Sequence, residues 1–374
     1  MTGTSLDAID TAAVRITGRG LTARATFMGQ ASADFGSLAD RLRRAQRQEP
    51  LTAGSFAALS RDLAIAHLPP LRELAHRHGH PDLVVVHGQT LFHHPPLSLQ
   101  LINPSVIAHD LNCTVVSNLR AADLAAGGQG APITPLADWM LFRARRTWRA
   151  IVNLGGFSNA TIIPPEPSGE TPRSRRESWA TLVRGADLCL CNQLLDHLAR
   201  TRSGVPFDHD GALARSGVVA LGPSGALRAL LDSQRLAGRS LGTSDEILER
   251  ASETVSTLSP PDALATATEA IAVTIAIALK DHLAFKAPAE RVRVIVAGGG
   301  ARNRTLVGAL ARAVGAPVDP SVTLGIPDDA RESVAMALLG ALGLDGVAVT
   351  VPSITGRTKM SIGDGELVCA RPRS

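Results

Sequence analysis

Five times in this chain glycine gathers with hydroxyl, amide or acidic residues: Gly3-Thr4-Ser5-Leu6-Asp7, His87-Gly88-Gln89-Thr90, Gly127-Gly128-Gln129-Gly130, Asn153-Leu154-Gly155-Gly156-Phe157-Ser158-Asn159 and Gly298-Gly299-Gly300-Ala301-Arg302-Asn303. Several of these clusters follow short apolar runs. Glycine lets backbone N–H groups approach a ligand closely, and neighbouring hydroxyls add donors, so such turns can cradle phosphate oxygens. One cluster alone is explained by a tight turn; five on one chain point to loops that converge. Around them short apolar runs alternate with amphipathic stretches, the pattern of α/β architecture. Strands are predicted over 83–86, 114–117, 150–154 and 292–297, and helices over 51–74, 193–202, 261–285, 303–313 and 331–342.

With 374 residues, at roughly 150 per domain, the chain has room for two domains. Hydrophobic residues at 45% and charged residues at 19% describe a globular protein. The net charge of +4 does not imply nucleic acid, because the bases are spread along the chain and aromatics are only 3%, with no tyrosine to stack on. The uncharged run from Ala270 to Leu279 is about half of the roughly 20 residues that cross a bilayer, so no membrane span is expected. The N-terminus lacks the basic start and apolar stretch of a secretory signal, which implies the cytoplasm. Cys113, Cys189, Cys191 and Cys369 are too few for a disulfide framework, and the C-x-C pair has no second pair to build a zinc site. Residues 164–177, PPEPSGETPRSRRE, lack apolar periodicity and read as a flexible, solvated surface insertion. The chain holds no G-x-x-x-x-G-K-[ST] loop and no complete G-x-G-x-x-G, which argues against P-loop and dinucleotide-binding enzymes.

What remains is a two-lobed phosphotransferase whose glycine hairpins grip a nucleotide across a cleft, and here a resemblance becomes specific. The opening MTGTSLDAID is similar to the first phosphate loop of the anhydro-N-acetylmuramic acid kinases, MSGTSLDGID. HGQTLFHHP, AAGGQGAP, NLGGFSN, the D-x-DGALA stretch at 208–214, DALATATE, VAGGGARN and PSITG follow in the family's order and span almost the whole chain.

The resemblance implies an α/β, two-lobed actin/hexokinase-like (ribonuclease H-like) kinase fold with a central ATP cleft. Lobe I would comprise 1–125 with 350–374, and lobe II 126–349. It also implies ATP and Mg²⁺, a small-molecule anhydro sugar, a homodimer, and no nucleic-acid or membrane partner. The family phosphorylates the 6-oxygen of 1,6-anhydro-N-acetylmuramic acid while water opens the anhydro bridge, giving N-acetylmuramic acid 6-phosphate and ADP. Its alternatives here are a kinase of 1,6-anhydroglucose (levoglucosan) and a catalytically silent nucleotide-binding homologue.

Carried over residue by residue, the resemblance makes Asp187 the general base, since Asp187, Asn192 and Asp196 keep the family's spacing. Gly3, Thr4, Ser5, Leu6, Asp7, Ala8, Ile9 and Asp10 would form the first ATP loop, with Asp7 reaching the metal through water. Asn153, Gly155 and Gly156 would form the second loop, and Gly298, Gly299, Gly300 and Asn303 the adenosine floor. His87, Gln89, Thr90, Arg120 and Gln129 would face the sugar, Arg120 suiting a lactyl carboxylate. Glu269 and Glu332 read as helix-surface or cap residues.

The chain departs from the family pattern at three places. Where the family has Thr-Gly-Pro-Gly after its base, this chain has Leu188-Cys189-Leu190-Cys191, which places apolar side chains in an expected active-site turn. Asn118 replaces an aspartate near Arg120. Only Met1 and Thr2 precede Gly3, so the first hairpin is expected to have half its strand support, with an unpaired strand edge beside it.

Overall fold

The computed structural model describes residues 1–2, 6, 8–166, 182–236, 247–283, 291–358 and 365–369. Gly3, Thr4, Ser5 and Asp7 lie outside the described residues, as does most of the 164–177 stretch. Of that stretch Pro164–Glu166 are described, with Glu166 paired to Arg143 at 2.7 Å.

The second half of the chain is built on a five-stranded sheet of β7 (Trp148–Leu154), β8 (Phe157–Ile163), β9 (Arg184–Leu190), β10 (Val292–Ala297) and β11 (Val318–Pro320), in the order β11-β10-β7-β8-β9. β7, β8 and β9 meander antiparallel, while β10 and β11 run parallel to β7. Strand alternation decides what each face buries. Ala150, Val152, Leu154, Val294 and Val296 join one core with the helices Asn192–Ser203, Leu221–Leu236, Pro260–Leu283 and Arg304–Val314. Ile151 and Ile295 point the other way, into a core shared with the helices Pro135–Phe142 and Arg331–Leu344. Both faces are therefore apolar, as a sheet covered on two sides requires.

The first half carries smaller sheets. β1 (Ile9–Thr17) and β2 (Arg24–Ala33) form a hairpin, β4 (Gln89–His94) and β5 (Leu97–Leu101) a second, and β12 (Glu366–Val368), β6 (Thr114–Ser117) and β3 (Leu83–Val86) a three-stranded sheet in that order. Met1 and Thr2 lie where the first hairpin meets the end of β3. Asp10 N donates to Met1 O at 2.9 Å, and Thr2 Oγ1 donates to Gly88 O at 2.9 Å. Helix Arg331–Leu344 packs on β1, β2 and β3 as well as on the helix Pro135–Phe142, so one apolar core joins the halves. The architecture is the mixed α/β fold expected, with its strands and helices close to the predicted ranges.

Helix Pro260–Leu283, 24 residues long, matches the predicted range 261–285. By length and composition its Pro260–Asp281 portion could cross a membrane, but 78% of its apolar window is buried inside the protein, and it serves as the core helix of the second half. The expected turn at Leu188–Cys191 is mostly strand. Lacking glycine and proline, the chain keeps pairing with β8 through Leu190, and all four side chains are fully buried. At roughly 1.5–3 kcal/mol for each buried leucine, that burial favours the strand over an exposed turn.

Candidate active site

Asp187 lies on β9 at a bulge. Ser158 pairs with Cys189 and Asn159 with Asp187, so Leu188 is the extra residue. A bulge bends its strand and re-aims side chains. Here alternation stops, residues 188–191 turn inward, and Asp187 stays partly exposed at the bend. The next backbone groups fasten to the glycine turn of the β7–β8 hairpin: Cys191 N donates to Gly156 O at 2.9 Å and Asn192 N to Gly155 O at 3.0 Å. Asn192 Nδ2 adds a bond to Leu154 O at 2.8 Å.

Asp187 faces Arg120, at the start of the short helix Ala121–Ala125. Burial pushes the Arg120 guanidinium below its ordinary range, and the Asp187, Glu332 and Asp123 carboxylates pull it back up. Arg120 Nη1 donates to Gly130 O at 2.6 Å, which holds the glycine turn 127–130 against it. Asp123 braces the same turn, accepting from Gly130 N at 2.7 Å and from Thr355 Oγ1 at 2.7 Å, with the buried Arg357 at 3.8 Å.

Two histidines complete this end. Arg120 Nη2 approaches His87 Nε2 at 3.4 Å, and because a guanidinium can only donate, the His87 proton sits on Nδ1. Burial, then Arg120, holds the buried His87 imidazole well below its usual range, so it is neutral. His93 is lowered to about 4 by burial, Arg120 and His94, against a small upward pull from the Gln129 backbone. Its Nδ1 lies 2.9 Å from Ser98 Oγ. His87 Nδ1 and Arg120 Nε are buried with no hydrogen-bond partner among the described residues. Buried donors without partners are costly, so these two groups are candidates to bind a ligand.

The other sequence-predicted sugar residues divide. Gln89 is buried on the inner face of β4, while Thr90 lies on the opposite face, where its hydroxyl donates to Gln100 Oε1 at 2.6 Å. Gln129 N donates to Thr355 O at 2.8 Å. Asn118 turns away to donate to Glu366 Oε1 at 2.7 Å.

Next to Asn153 the correction concerns Glu332. It is not a surface residue of its helix: its Oε1 accepts from Asn153 Nδ2 at 3.0 Å, and its charge acts on both Arg120 and Asp10. Arg331 explains its placement. Fully buried, Arg331 forms a two-point pair with the fully buried Asp138, Nε to Oδ1 at 2.9 Å and Nη2 to Oδ2. Thr161 Oγ1 on β8 donates to Asp138 Oδ2 at 2.6 Å, and Arg331 Nη2 donates to Thr134 Oγ1 at 3.1 Å. This network pins the first turn of the helix, and hence Glu332, to the sheet. The sequence signal was the Arg-Glu pair opening an apolar helix, which periodicity alone cannot tell from a solvated cap. Glu269 pairs with Arg312 at 3.4 Å near the surface, as read.

Asp10 sits close by. Burial raises its carboxyl above the ordinary range, the chain's α-ammonium group opposes this, Asp329 and Glu332 add to it, and Arg302 lowers it. Asn153 Oδ1 is buried without a hydrogen-bond partner among the described residues. Gly298, at φ +83°, lies against it: a Cβ there would stand 2.6 Å from Asn153 Oδ1, so only glycine lets the 298–300 turn pass so near β7. Asn303 caps the following helix, accepting from Leu306 N at 2.9 Å.

Glycine turns from two neighbouring strands, a buried arginine coupled to a carboxylate, and a second group of carboxylates beside Asn153 suit a phosphotransferase of the α/β class. The family profile of anhydro-N-acetylmuramic acid kinases matches residues 1–365. An anhydro-N-acetylmuramic acid kinase of Rhodospirillum rubrum is 36% identical over 95% of this chain and 90% of its own length. One from a Synechococcus strain is 34% identical over 97% and 96%. The chain belongs to the anhydro-N-acetylmuramic acid kinase family. Among solved structures, a ROK family glucokinase from Streptomyces griseus aligns at a TM-score of 0.35 and 14% identity, covering 88% of this chain and 99% of its own.

Proposed function

We propose that this protein is an ATP-dependent kinase of 1,6-anhydro-N-acetylmuramic acid. It transfers the γ-phosphoryl group to the 6-oxygen while water adds at C1 and the anhydro bridge opens, giving N-acetylmuramic acid 6-phosphate and ADP. The observation that carries this reading is Arg120: a guanidinium with an unmet buried donor, beside Asp187 and two neutral histidines, in a chain of this family.

Phosphoryl transfer needs in-line positioning and charge neutralisation, whereas the water attack needs a base within hydrogen-bond reach. Asp187 takes the proton from the attacking water as its oxygen bonds to C1, and the bridge oxygen leaves C1 to remain on C6, where it receives the phosphoryl group. Arg120 holds the lactyl carboxylate, and His87 Nδ1–H donates to the sugar. Held neutral, His87 and His93 line the pocket without repelling Arg120. The turn at Gly155–Gly156 donates backbone N–H groups to the nucleotide phosphates, residues 3–10 take the part of the first ATP loop as the family resemblance implies, and Gly298–Gly300 with Asn303 floors the adenosine.

The residues present fit Mg²⁺: Glu332, Asp10 and the orphaned Asn153 Oδ1 are hard oxygen donors grouped in a partly buried corner. Asp10, Glu332 and Asn153 would hold the ion, which would supply positive charge to offset that of the phosphates. Lobe I at 1–125 with 350–374 and lobe II at 126–349 form the two walls, and a cytosolic homodimer is the setting the family implies.

Incubating the purified chain with ATP and Mg²⁺, with 1,6-anhydro-N-acetylmuramic acid or 1,6-anhydroglucose as acceptor, tests the reading. ADP and a 6-phosphate from the first sugar support it; turnover confined to the second, or absent with both, overturns it.

A further inference from the structure

One exposed aromatic group takes no part in the core or in the chemistry above. Phe207 is 51% exposed on the segment between helix Asn192–Ser203 and the helix Ala212–Ser216. Its ring stacks on His209, also exposed, with centroids 6.1 Å apart and planes 28° from parallel. An exposed phenylalanine on a loose loop would mean little, but this loop is fastened at three points. Asp208, buried, accepts from Leu213 N at 2.8 Å and Ala214 N at 2.9 Å. Thr305 Oγ1 donates to Gly211 O at 2.7 Å. Asp210 pairs with Arg304 at 3.4 Å. Gly211, at φ +65°, is packed so tightly that a Cβ would meet Asn303 Oδ1 at 2.2 Å and Thr305 Oγ1 at 2.6 Å.

Asp208 fixes the segment to the helix that follows it, while the contacts of Asp210 and Gly211 tie the segment carrying Phe207 and His209 to Asn303, Arg304 and Thr305, which follow the Gly299–Arg302 turn. A nucleotide whose phosphates lie along the glycine turns of β7 and β10 extends its base past Asn303, and there the fold offers a rigid aromatic face open to solvent. Aromatic stacking on a base contributes roughly 1–3 kcal/mol, since every base has a π-face.

We infer that Phe207, backed by His209, is the stacking platform for the nucleobase of the phosphoryl donor. Because Phe207 meets only the base, its contribution is to nucleotide affinity and not to the transfer step. The inference rests on the kinase reading, and its test separates the two.

Titration calorimetry of the full chain with ADP and with inorganic tripolyphosphate compares wild type, Phe207→Ala and Phe207→Trp. Expected for Phe207→Ala is an ADP Kd raised about tenfold with tripolyphosphate binding unchanged, and Phe207→Trp retains the wild-type ADP affinity. In turnover, KM for ATP rises similarly while kcat and KM for the sugar hold. Unchanged ADP affinity in Phe207→Ala, or an equal loss for tripolyphosphate, overturns the platform and leaves the kinase reading standing. A wild-type chain that binds tripolyphosphate and ADP equally well overturns the platform too, whereas one that binds ADP tightly yet phosphorylates no anhydro sugar overturns the kinase reading alone.

Discussion

The surroundings of Arg120 and of Glu332 are both removed from water, but the groups this acts on differ. Around Arg120 burial strips the proton from imidazoles: His87 is held well below its usual range and His93 at about 4, so the arginine stands beside neutral imidazoles and is balanced by the Asp187 and Asp123 carboxylates. Around Glu332 the same loss of water acts on carboxylates, raising Asp10, with Asp329 and Glu332 adding to the effect. Desolvation favours the neutral form of any group, so it lowers the imidazoles and the guanidinium in one region and raises the Asp10 carboxyl in the other. On the proposed reading the arginine receives the sugar carboxylate and the acids would hold the metal.

The sharpest way to break this comparison is at the carboxylate that faces the arginine. Replacing Asp187 with Asn is expected to lower kcat by about 10²–10⁴-fold while ADP binding persists, read by product formation and calorimetry. Full turnover in that variant removes Asp187 from the chemistry. The next effect concerns the anchor of the acidic end. Arg331→Met leaves Asp138 charged and buried without its partner, and urea denaturation should register a loss of about 3–5 kcal/mol. The double variant Arg331→Met/Asp138→Leu should recover much of it, because the stranded charge is gone. A single variant as stable as wild type means the pair does not hold the helix.

Histidine burial sets a smaller, pH-dependent effect. His67, buried on the helix Ala53–His78 with Nδ1 2.8 Å from Leu63 O, is lowered to about 3 by burial and by the nearby α-ammonium group, against a small upward pull from Leu63. Its folded value lies below the unfolded 6.5, so the unfolded chain binds the proton first. The stability is present above about pH 6.5 and drains as pH falls toward about 3, by about 1.4 kcal/mol per pH unit for each such histidine. Urea midpoints at pH 7, 6 and 5 should fall less steeply in His67→Gln than in wild type. The smallest expected change is at the rim: Arg302, 71% exposed and paired with Asp329, should cost under about 1 kcal/mol as Arg302→Ala by the same measurement.

The parts of the fold legible in the sequence were those whose periodicity is set locally. Strands 83–86, 114–117 and 292–297 coincide with the predicted runs, since a buried strand covered on both faces is a short unbroken run of valine, isoleucine and leucine. β1 and β2 escaped notice because their pattern mixes Thr, Arg and Gln with small apolar residues, and their pairing depends on a core contributed by helix Arg331–Leu344. β9 was misread because its family counterpart turns there. The substitution to Leu188-Cys189-Leu190-Cys191 was visible, but not that β8 and the helices beneath would absorb four consecutive side chains. Glu332 was misjudged because the partner that fixes its turn, Asp138, lies 193 residues from Arg331.

Local sequence thus determined the alternation of strands and helices, the glycine turns at their ends and the family to which the chain belongs, since each depends on residue type at short spacing. Tertiary structure decided which of those turns meet, which histidines lose their charge, and which glutamate meets Asn153. Those outcomes depend on removal from water and on partners far apart along the chain, and neither is encoded in the spacing of neighbouring residues.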